Sequence, residues 1–169
     1  MRYLKGMYFE MVNNLLNEYN PEMAEEAAKE LSFEIASVKP GKWYDRTEMF
    51  KYINKASPAA RKALAKRVFP TIKENTPLLD DCNGPIDVIK KMNESSALTN
   101  KGDVLPEYNV LELDKARAKI QVKNNWIDFP DIEEGQILGI FQMYKILRVH
   151  VDTTKVSDNE LIMDVKWEN

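Results

Sequence analysis

The chain has 169 residues, a length that suits one domain around one hydrophobic core. Its formal net charge is −3, which disfavours a general surface for nucleic acid or anionic membranes. Cys82 is the single cysteine, so no intrachain disulfide can form, and this usage suits a reducing cytoplasm. The N-terminus has no apolar signal-peptide core, and no run approaches the ~18–20 apolar residues of a membrane-spanning helix. We therefore expect one cytoplasmic domain over residues 1–169, without membrane insertion and without a nucleic-acid partner.

The N-terminal part of the sequence carries helical signals. Apolar residues recur every three or four positions and predict a first amphipathic helix over residues 3–19. Asn20-Pro21 is typical of the cap and first residue of a second helix. Asp45 and Glu48 form a capping-box pattern at the start of the next one.

Three prolines divide the chain that follows. Ser57-Pro58 predicts a further helix start, and Pro70 predicts a kink or an end in that helix. A third proline-led helix is expected from about Pro85, closing near Gly102. No internal repeat or low-complexity tract interrupts this series.

The hydrophobic period changes from helix to strand after residue 102. In "ARAKIQVK" apolar and polar residues alternate, which indicates a strand with one buried face, and "YNVLEL" precedes it as a possible partner. A helix is expected next, opened by a capping box of Asp131 and Glu134. "RVHVDTTKV" and "ELIMDVKW" flank a polar turn and predict a hairpin. The expected fold class is α+β: a helical N-terminal part packed on a small antiparallel sheet of about three or four strands, with one helix followed by a C-terminal β-hairpin.

Two glycines, Gly135 and Gly139, stand one turn apart in the last predicted helix. Glycine costs roughly 1 kcal/mol relative to alanine in a helix interior, so their presence needs a reason. They lie on one side of a helix that is otherwise apolar and is expected to cross the sheet. The absent Cβ atoms let another backbone approach closely, and we interpret both residues as packing glycines.

The segments "GQILGIFQMYKIL", "VHVDTTKV", "ELIMDVKW" and "ARAKIQVKNNW", with the opening "YLKGMYFEMVNNLL", resemble a known superfamily. It joins 4-vinyl-reductase-type ligand-binding domains, haem–nitric-oxide-binding domains and Bet3-like subunits of vesicle-tethering complexes. The sequence is most similar to small bacterial relatives of unassigned function. The resemblance implies an α+β ligand-binding or sensory domain that is not an enzyme.

The sequence departs from the haem-binding and metal-binding members of this superfamily. Haem-binding members ligate iron through a histidine on a helix before the sheet, whereas the only histidine here is His150, predicted on a strand after the glycine-bearing helix. Their Tyr-x-Ser-x-Arg pattern is also absent. The cysteines that suit a metal near the terminal hairpin of the 4-vinyl-reductase type are missing too. We therefore expect neither a cofactor nor a metal.

Four aromatic residues are the candidates for lining a ligand pocket: Trp43, Tyr44, Trp126 and Phe141. Two of them lie in predicted loops beside the ends of helices or strands, where concave sites form. Core packing is the alternative for all four. His150 and Cys82 lack any catalytic constellation and are interpreted as a strand residue and a loop residue.

Charge is unevenly distributed between two predicted helical segments. Residues 22–34 hold five acidic residues and one lysine, whereas residues 51–73 hold seven basic residues and no acid. The basic face could bind phosphate groups or an acidic partner, including the acidic helix of a second copy; a plain solvated face is the alternative.

The function that these observations favour is a non-enzymatic module that binds a small apolar ligand, as in sensory and regulatory relatives. The alternative is a dimeric protein-interaction adaptor without a ligand. An enzyme is disfavoured because no catalytic motif is present. The apolar stripe of the helix at 3–19 is wider than one buried face needs, so we expect a homodimer with this helix in its interface.

Overall fold

The fold is described from a computed structural model, which covers residues 1–168. Within them the helices are α1 (Gly6–Tyr19), α2 (Pro21–Glu30), α3 (Phe50–Ile53), α4 (Pro58–Ala65), α5 (Val68–Asn75), α6 (Pro85–Lys90), α7 (Met92–Thr99) and α8 (Pro130–Met143). None of these helices is long and apolar enough to cross a membrane.

Two antiparallel sheets complete the fold. The small sheet has the order β2-β1-β3 and the larger one the order β4-β5-β7-β6. Their strands are β1 (Arg2–Lys5), β2 (Trp43–Asp45), β3 (Asn100–Gly102), β4 (Glu107–Leu113), β5 (Arg117–Lys123), β6 (Val149–Ser157) and β7 (Glu160–Trp167). The α+β class is confirmed: helices α1 to α7 precede the larger sheet, and α8 stands between its two hairpins.

The larger sheet matches the sequence pattern closely. The alternating residues Ala118, Ile120 and Val122 of β5 are fully buried, as their period of two requires. β4 and β5 form one hairpin and β6 and β7 the other, with β7 paired to β5. The C-terminal hairpin therefore supplies one central strand and one edge strand.

The small sheet was not predicted. Residues 3–5, expected as the start of the first helix, belong to β1 instead, and α1 begins at Gly6. Tyr3 pairs with Asp45 of β2 and Leu4 with Asn100 of β3. The prediction of a helix over 3–19 was therefore wrong at its first turn, because long-range pairing fixes these residues as a strand.

The predicted helix starts at residues 20–21 and 57–58 are confirmed. The Asn20 side chain accepts from the Met23 amide, and the Ser57 side chain accepts from the Ala60 amide. Pro70 lies in the first turn of α5, where its missing N–H is tolerated, and the break between α4 and α5 comes just before it.

The two predicted capping boxes do not form as expected. Asp45 caps a short 3₁₀ turn by accepting from the Thr47 amide, but Glu48 accepts from the Ser32 amide rather than closing the box. The capping box predicted from Asp131 and Glu134 at the start of α8 is wrong. The helix begins at Pro130, and the Asp131 carboxylate is bound by Arg61 of α4.

Gly135 and Gly139 of α8 lie against the backbone of α4. A Cβ atom on either glycine would collide with a backbone carbonyl oxygen, that of Lys62 or that of Lys66. The interpretation as packing glycines is confirmed, and the close neighbour is a helix rather than the sheet.

The basic segment finds acidic partners inside the same chain. Lys55 lies 2.8 Å from the Glu30 carboxylate of the acidic helix α2. Lys62 pairs with Glu134 at 2.8 Å. The complementary charges thus join neighbouring segments of the same chain.

The apolar stripe of α1 is largely covered by the rest of the domain. Phe9 and Leu16 are 0% and 2% exposed, and Met7 is 4% exposed. Tyr19, at the end of the helix, is 74% exposed. The dimer expected through this helix assumed an open apolar face, which the buried residues of α1 do not provide. The dimer itself stays a prediction.

Candidate functional site

A cavity of about 90 Å³ lies among helices α1, α4, α5, α7 and α8. Its wall is mostly apolar, and three thioethers contribute to it: Met11, Met49 and Met92. The volume is below the roughly 150 Å³ of an engineered apolar cavity that binds benzene. The cavity therefore suits a molecule of a few non-hydrogen atoms.

Helix α7 supplies three hydroxyl groups to this wall. The Ser96 hydroxyl donates to the Pro106 carbonyl at 2.9 Å, and the Thr99 hydroxyl donates to the Ser95 carbonyl at 2.8 Å. The Ser95 side chain is 2% exposed, and its hydroxyl has no hydrogen-bond partner among the described residues. A buried hydroxyl without a partner is uncommon in proteins. Ser95 is the residue of this wall with hydrogen-bonding capacity to spare.

A buried carboxyl group stands behind the cavity. Glu133 of α8 is 0% exposed, and its carboxylate accepts from the Tyr108 hydroxyl at 3.0 Å and from the Asn125 side-chain amide at 2.5 Å. The Trp126 backbone amide and the Gln136 side chain donate to it at 3.3 and 3.4 Å. Tyr108, Asn125, Trp126 and Gln136 also line the cavity, so the network is part of its wall.

Burial governs the protonation of this network. It raises the pKa of Glu133 to about 7, although the hydrogen bonds from Tyr108 and Trp126 oppose the shift. Burial also raises the pKa of Tyr108 well above its usual value, and the nearby Glu133 charge adds to this. With this pKa, the carboxyl group behind the cavity changes its charge near neutral pH.

Arg46 approaches the same network from the helical part of the fold. Its guanidinium carbon lies 3.9 Å from the centre of the Trp126 ring, and its Nη2 donates to Asn125 Oδ1 at 3.0 Å. The side chain is 4% exposed, and Nη1 has no hydrogen-bond partner among the described residues. Burial, and then the charge of Arg2, lower the pKa of Arg46 to about 10.

Of the four predicted pocket aromatics, the structure brings Trp126 to the cavity. Trp43 lies on β2 under the Lys5 ammonium group, 4.6 Å from its ring centre. Tyr44 packs against Phe33 with ring centres 4.8 Å apart. Phe141 is fully buried against Trp167.

Sequence reasoning missed Ser95 and Glu133 as site residues. Ser95 stands in "NESSALT", a polar segment without helical periodicity, and Glu133 stands in "DIEEGQ", where an acid in the first turn of a helix is ordinary. His150, by contrast, is an exposed residue of β6 paired with Asp152 at 3.0 Å, as its strand pattern predicted.

No protein-family model matches this sequence, and no curated protein matches it. Solved structures with a similar fold do exist. The Fe(II) unliganded H-NOX protein from K. algicida superposes with a TM-score of 0.78 at 16% identity, covering 98% of this chain and 97% of that chain. The H-NOX protein from S. oneidensis in the Fe(II)NO ligation state has a TM-score of 0.78 at 14% identity, and the match covers 98% of this chain and 100% of that chain. A mutant of T. tengcongensis H-NOX has a TM-score of 0.76 at 17% identity, and the match covers 98% of each chain.

These comparisons establish an H-NOX-like fold over nearly the whole chain. They agree with the haem–nitric-oxide-binding part of the resemblance drawn from the sequence. The likeness to 4-vinyl-reductase-type domains and to Bet3-like subunits stays a prediction.

The cavity residues do not fit a haem. The volume of about 90 Å³ is well below the roughly 300–1,000 Å³ of pockets for drug-sized ligands, and a haem is larger than most of those ligands. The wall holds no histidine or cysteine: His150 is an exposed residue of β6, and Cys82 lies outside the cavity.

The remaining haem-ligating groups of the wall are unsuited as well. Iron is held by tyrosine through the phenolate, but burial raises the pKa values of both Tyr8 and Tyr108. The Tyr108 hydroxyl is also committed to Glu133. Met11, Met49 and Met92 offer thioethers, which serve as haem ligands alongside a histidine. No step of the chemistry of this domain is therefore assigned to haem.

Proposed function

We propose that this domain is a non-enzymatic sensory or regulatory module that binds a small, largely apolar molecule in the cavity, without haem. The observation that carries the proposal is the apolar cavity with a polar wall on one side. A few placed polar groups in an otherwise apolar pocket are typical of small-molecule sites. The H-NOX-like fold supports the same class of function.

Ser95 is the residue that we expect to orient the ligand. Its buried hydroxyl can donate one hydrogen bond and accept others, and leaving such a group unpaired costs about 1–3 kcal/mol. A ligand with one hydroxyl or carbonyl group would satisfy it while its apolar part contacts Met11, Met49 and Met92. This favours short alcohols, ketones or comparable molecules over purely apolar ones.

An enzymatic role has little support. The Glu133 carboxyl is 0% exposed, is enclosed by four donors of its own chain and does not line the cavity, so a substrate there could not reach it for proton transfer. No described residue near the cavity pairs a nucleophile with a general base.

Methionine-methyl NMR offers a direct test, because three of the chain's eight methionines line the cavity. With ¹³C-methyl labelling, we expect xenon or 1-propanol to shift the signals of Met11, Met49 and Met92 in a saturable way. The signals of Met23 and Met163, which lie outside the wall, are the internal controls. Val12→Phe should abolish the shifts by filling the cavity, whereas Met163→Leu should leave them in place.

Equal shifts at all methionines, or shifts that survive Val12→Phe, would contradict the cavity as the binding site. 1-Propanol should bind more tightly than xenon in the wild type, and Ser95→Ala should remove that difference. Native mass spectrometry of the protein purified from its source addresses the physiological ligand. A retained small molecule supports the proposal.

The dimeric adaptor without a ligand is the alternative. Sedimentation across micromolar concentrations tests it in the same preparation. A stable dimer that carries no retained molecule and shows no saturable cavity binding would favour the adaptor.

A further inference from the structure

Two arginines converge on one loop without an acidic partner. Arg2 of β1 donates through its guanidinium to the Asn124 carbonyl, and Arg46 donates to the side chain of the next residue, Asn125. Neither arginine has a carboxylate within ion-pair distance among the described residues, although several other basic groups of this domain do have one. The two positive charges are therefore stabilised only by hydrogen bonds to neutral groups.

The two cations lie near each other. Arg2 belongs to β1, and Arg46 follows β2, the strand paired with β1, as the first residue of a 3₁₀ turn. Both donate to the same two-residue loop, Asn124–Asn125. The two like charges repel each other, and the Arg2 charge is the second cause, after burial, that lowers the pKa of Arg46.

Arg46 retains unused hydrogen-bonding capacity although it is 4% exposed. The Trp126 ring covers one face of the guanidinium, and Asn125 takes a single hydrogen bond. The charge of Glu133 acts on Arg46, but the two form no ion pair. The Glu133 carboxyl oxygens accept instead from Tyr108, Asn125, Trp126 and Gln136. Nη1 is left without a partner among the described residues.

The loop itself is held in a conformation that presents its polar groups. Asn124 has φ 57°, in the left-handed region that few residues other than glycine and asparagine adopt. Its backbone amide donates to the Asn159 carbonyl at 2.9 Å, which fixes the loop against the turn of the terminal hairpin. Arg2 is half-buried, so this side of the arginine pair is open to solvent.

We propose that Arg46 and Arg2 form a binding site for a carboxylate, at the loop Asn124–Asn125. A carboxylate matches the planar fork of a guanidinium and would accept from Arg46 Nη1 and from Arg2 at once. Its single charge offsets the repulsion between the two arginines, and a doubly charged phosphate would lose more hydration on entering a site so largely buried. Neither arginine lines the cavity, although Asn125 of the loop does, so this site adjoins the ligand site proposed above but does not depend on it.

The experiment is an anion titration of the full chain at pH 7 and constant ionic strength, followed by ¹H–¹⁵N NMR. The probes are acetate, phosphate and chloride. The signals to follow are the Arg46 Nε–H and the Trp126 indole N–H, because the guanidinium stacks on that ring. We expect acetate to shift both signals saturably and to bind more tightly than phosphate or chloride.

Arg46→Met should weaken acetate binding by at least about tenfold, since a hydrogen bond to a charged group is lost and a 1.4 kcal/mol change corresponds to tenfold. The matched control is Arg148→Met, which removes an arginine with 82% of its side chain exposed and should leave the affinity unchanged. Because Arg46 is buried, its variant can fail to fold. Arg2→Met then serves as the second variant and should also weaken acetate binding.

Two results would overturn the proposal. One is acetate binding no tighter than chloride, or weaker than phosphate. The other is acetate binding that persists in a folded Arg46→Met or Arg2→Met variant.

Discussion

The Tyr108 hydroxyl donates a 3.0 Å hydrogen bond to the Glu133 carboxylate, and both side chains are buried. β4 supplies the tyrosine and α8 the glutamate, so this bond ties the edge strand of the larger sheet to the helix that packs against α4. The stability of the domain should therefore respond to the charge of Glu133.

We expect stability to fall as pH rises from about 4.5 to about 7. Glu133 has a folded-state pKa of about 7 against an ordinary value of 4.5, so in this window the folded chain holds a proton that the unfolded chain has lost. Stability must then decrease with pH, by roughly 3 kcal/mol at most from this one group. Urea unfolding at pH 4.5, 5.5, 6.5 and 8 measures the change. Two other titratable side chains face Glu133. Arg46 is positively charged throughout this window, and Tyr108 ionises only at much higher pH.

Glu133→Gln isolates this contribution, because the amide cannot ionise. Its pH profile should be flatter than that of the wild type between pH 4.5 and 7. Glu18→Gln, at an exposed position of α1, is the control and should keep the wild-type profile. Parallel profiles for wild type and Glu133→Gln would show that Glu133 titrates near its ordinary value.

Gly139→Ala should destabilise the domain strongly. The added Cβ would meet the Lys66 carbonyl oxygen and force α8 away from α4, an overpacking that costs about 1–3 kcal/mol or more. This outweighs the gain of up to about 1 kcal/mol that alanine has over glycine in a helix. Gly41→Ala, which meets no atom within 4 Å, is the control and should change the melting temperature little.

Arg61→Met should lower the free energy of unfolding by about 3–5 kcal/mol, because it leaves the largely buried Asp131 carboxylate without its partner. Arg61 binds Asp131 with Nε–Oδ2 at 2.7 Å, and both side chains are only 14% exposed. Its Nη1 also donates to the Ala56 carbonyl at 2.8 Å. The exposed pair Arg148–Glu168 offers the comparison: Arg148→Met should leave the free energy of unfolding nearly unchanged. Equal effects of the two variants in urea unfolding would refute this ranking.

Haemin should not form a stoichiometric complex with this domain. The cavity is too small and its wall offers no histidine or cysteine. Titration of the purified protein with haemin, followed in the Soret region, should match a control of haemin in buffer without protein. His150→Ala should change nothing in this measurement. A saturable Soret shift at one haem per chain would show that the cavity opens far beyond about 90 Å³.

The sequence alone determined the elements whose signals are local. The period-two alternation of Ala118, Ile120 and Val122 predicted a strand with one buried face, because side chains of a strand point alternately to its two sides. Asn20 and Ser57 marked helix starts, since their side chains satisfy backbone amides only a few residues away. The sequence also predicted close backbone packing at Gly135 and Gly139, but it did not predict that the neighbouring backbone is that of α4.

The tertiary structure alone decided the small sheet and the candidate site. β1 joins β2 and β3 through pairs such as Tyr3–Asp45 and Leu4–Asn100, and strands this short leave no periodic signal. Glu133 and Glu134 are adjacent and chemically identical, yet one is sealed behind the cavity and the other pairs with Lys62 near the surface. Successive residues of a helix point about 100° apart, so the difference depends on which side of α8 meets the core. That choice is made by the packing of α4, the sheet and the loop at Asn125 around the helix, which is a property of the assembled fold and not of any local stretch of sequence.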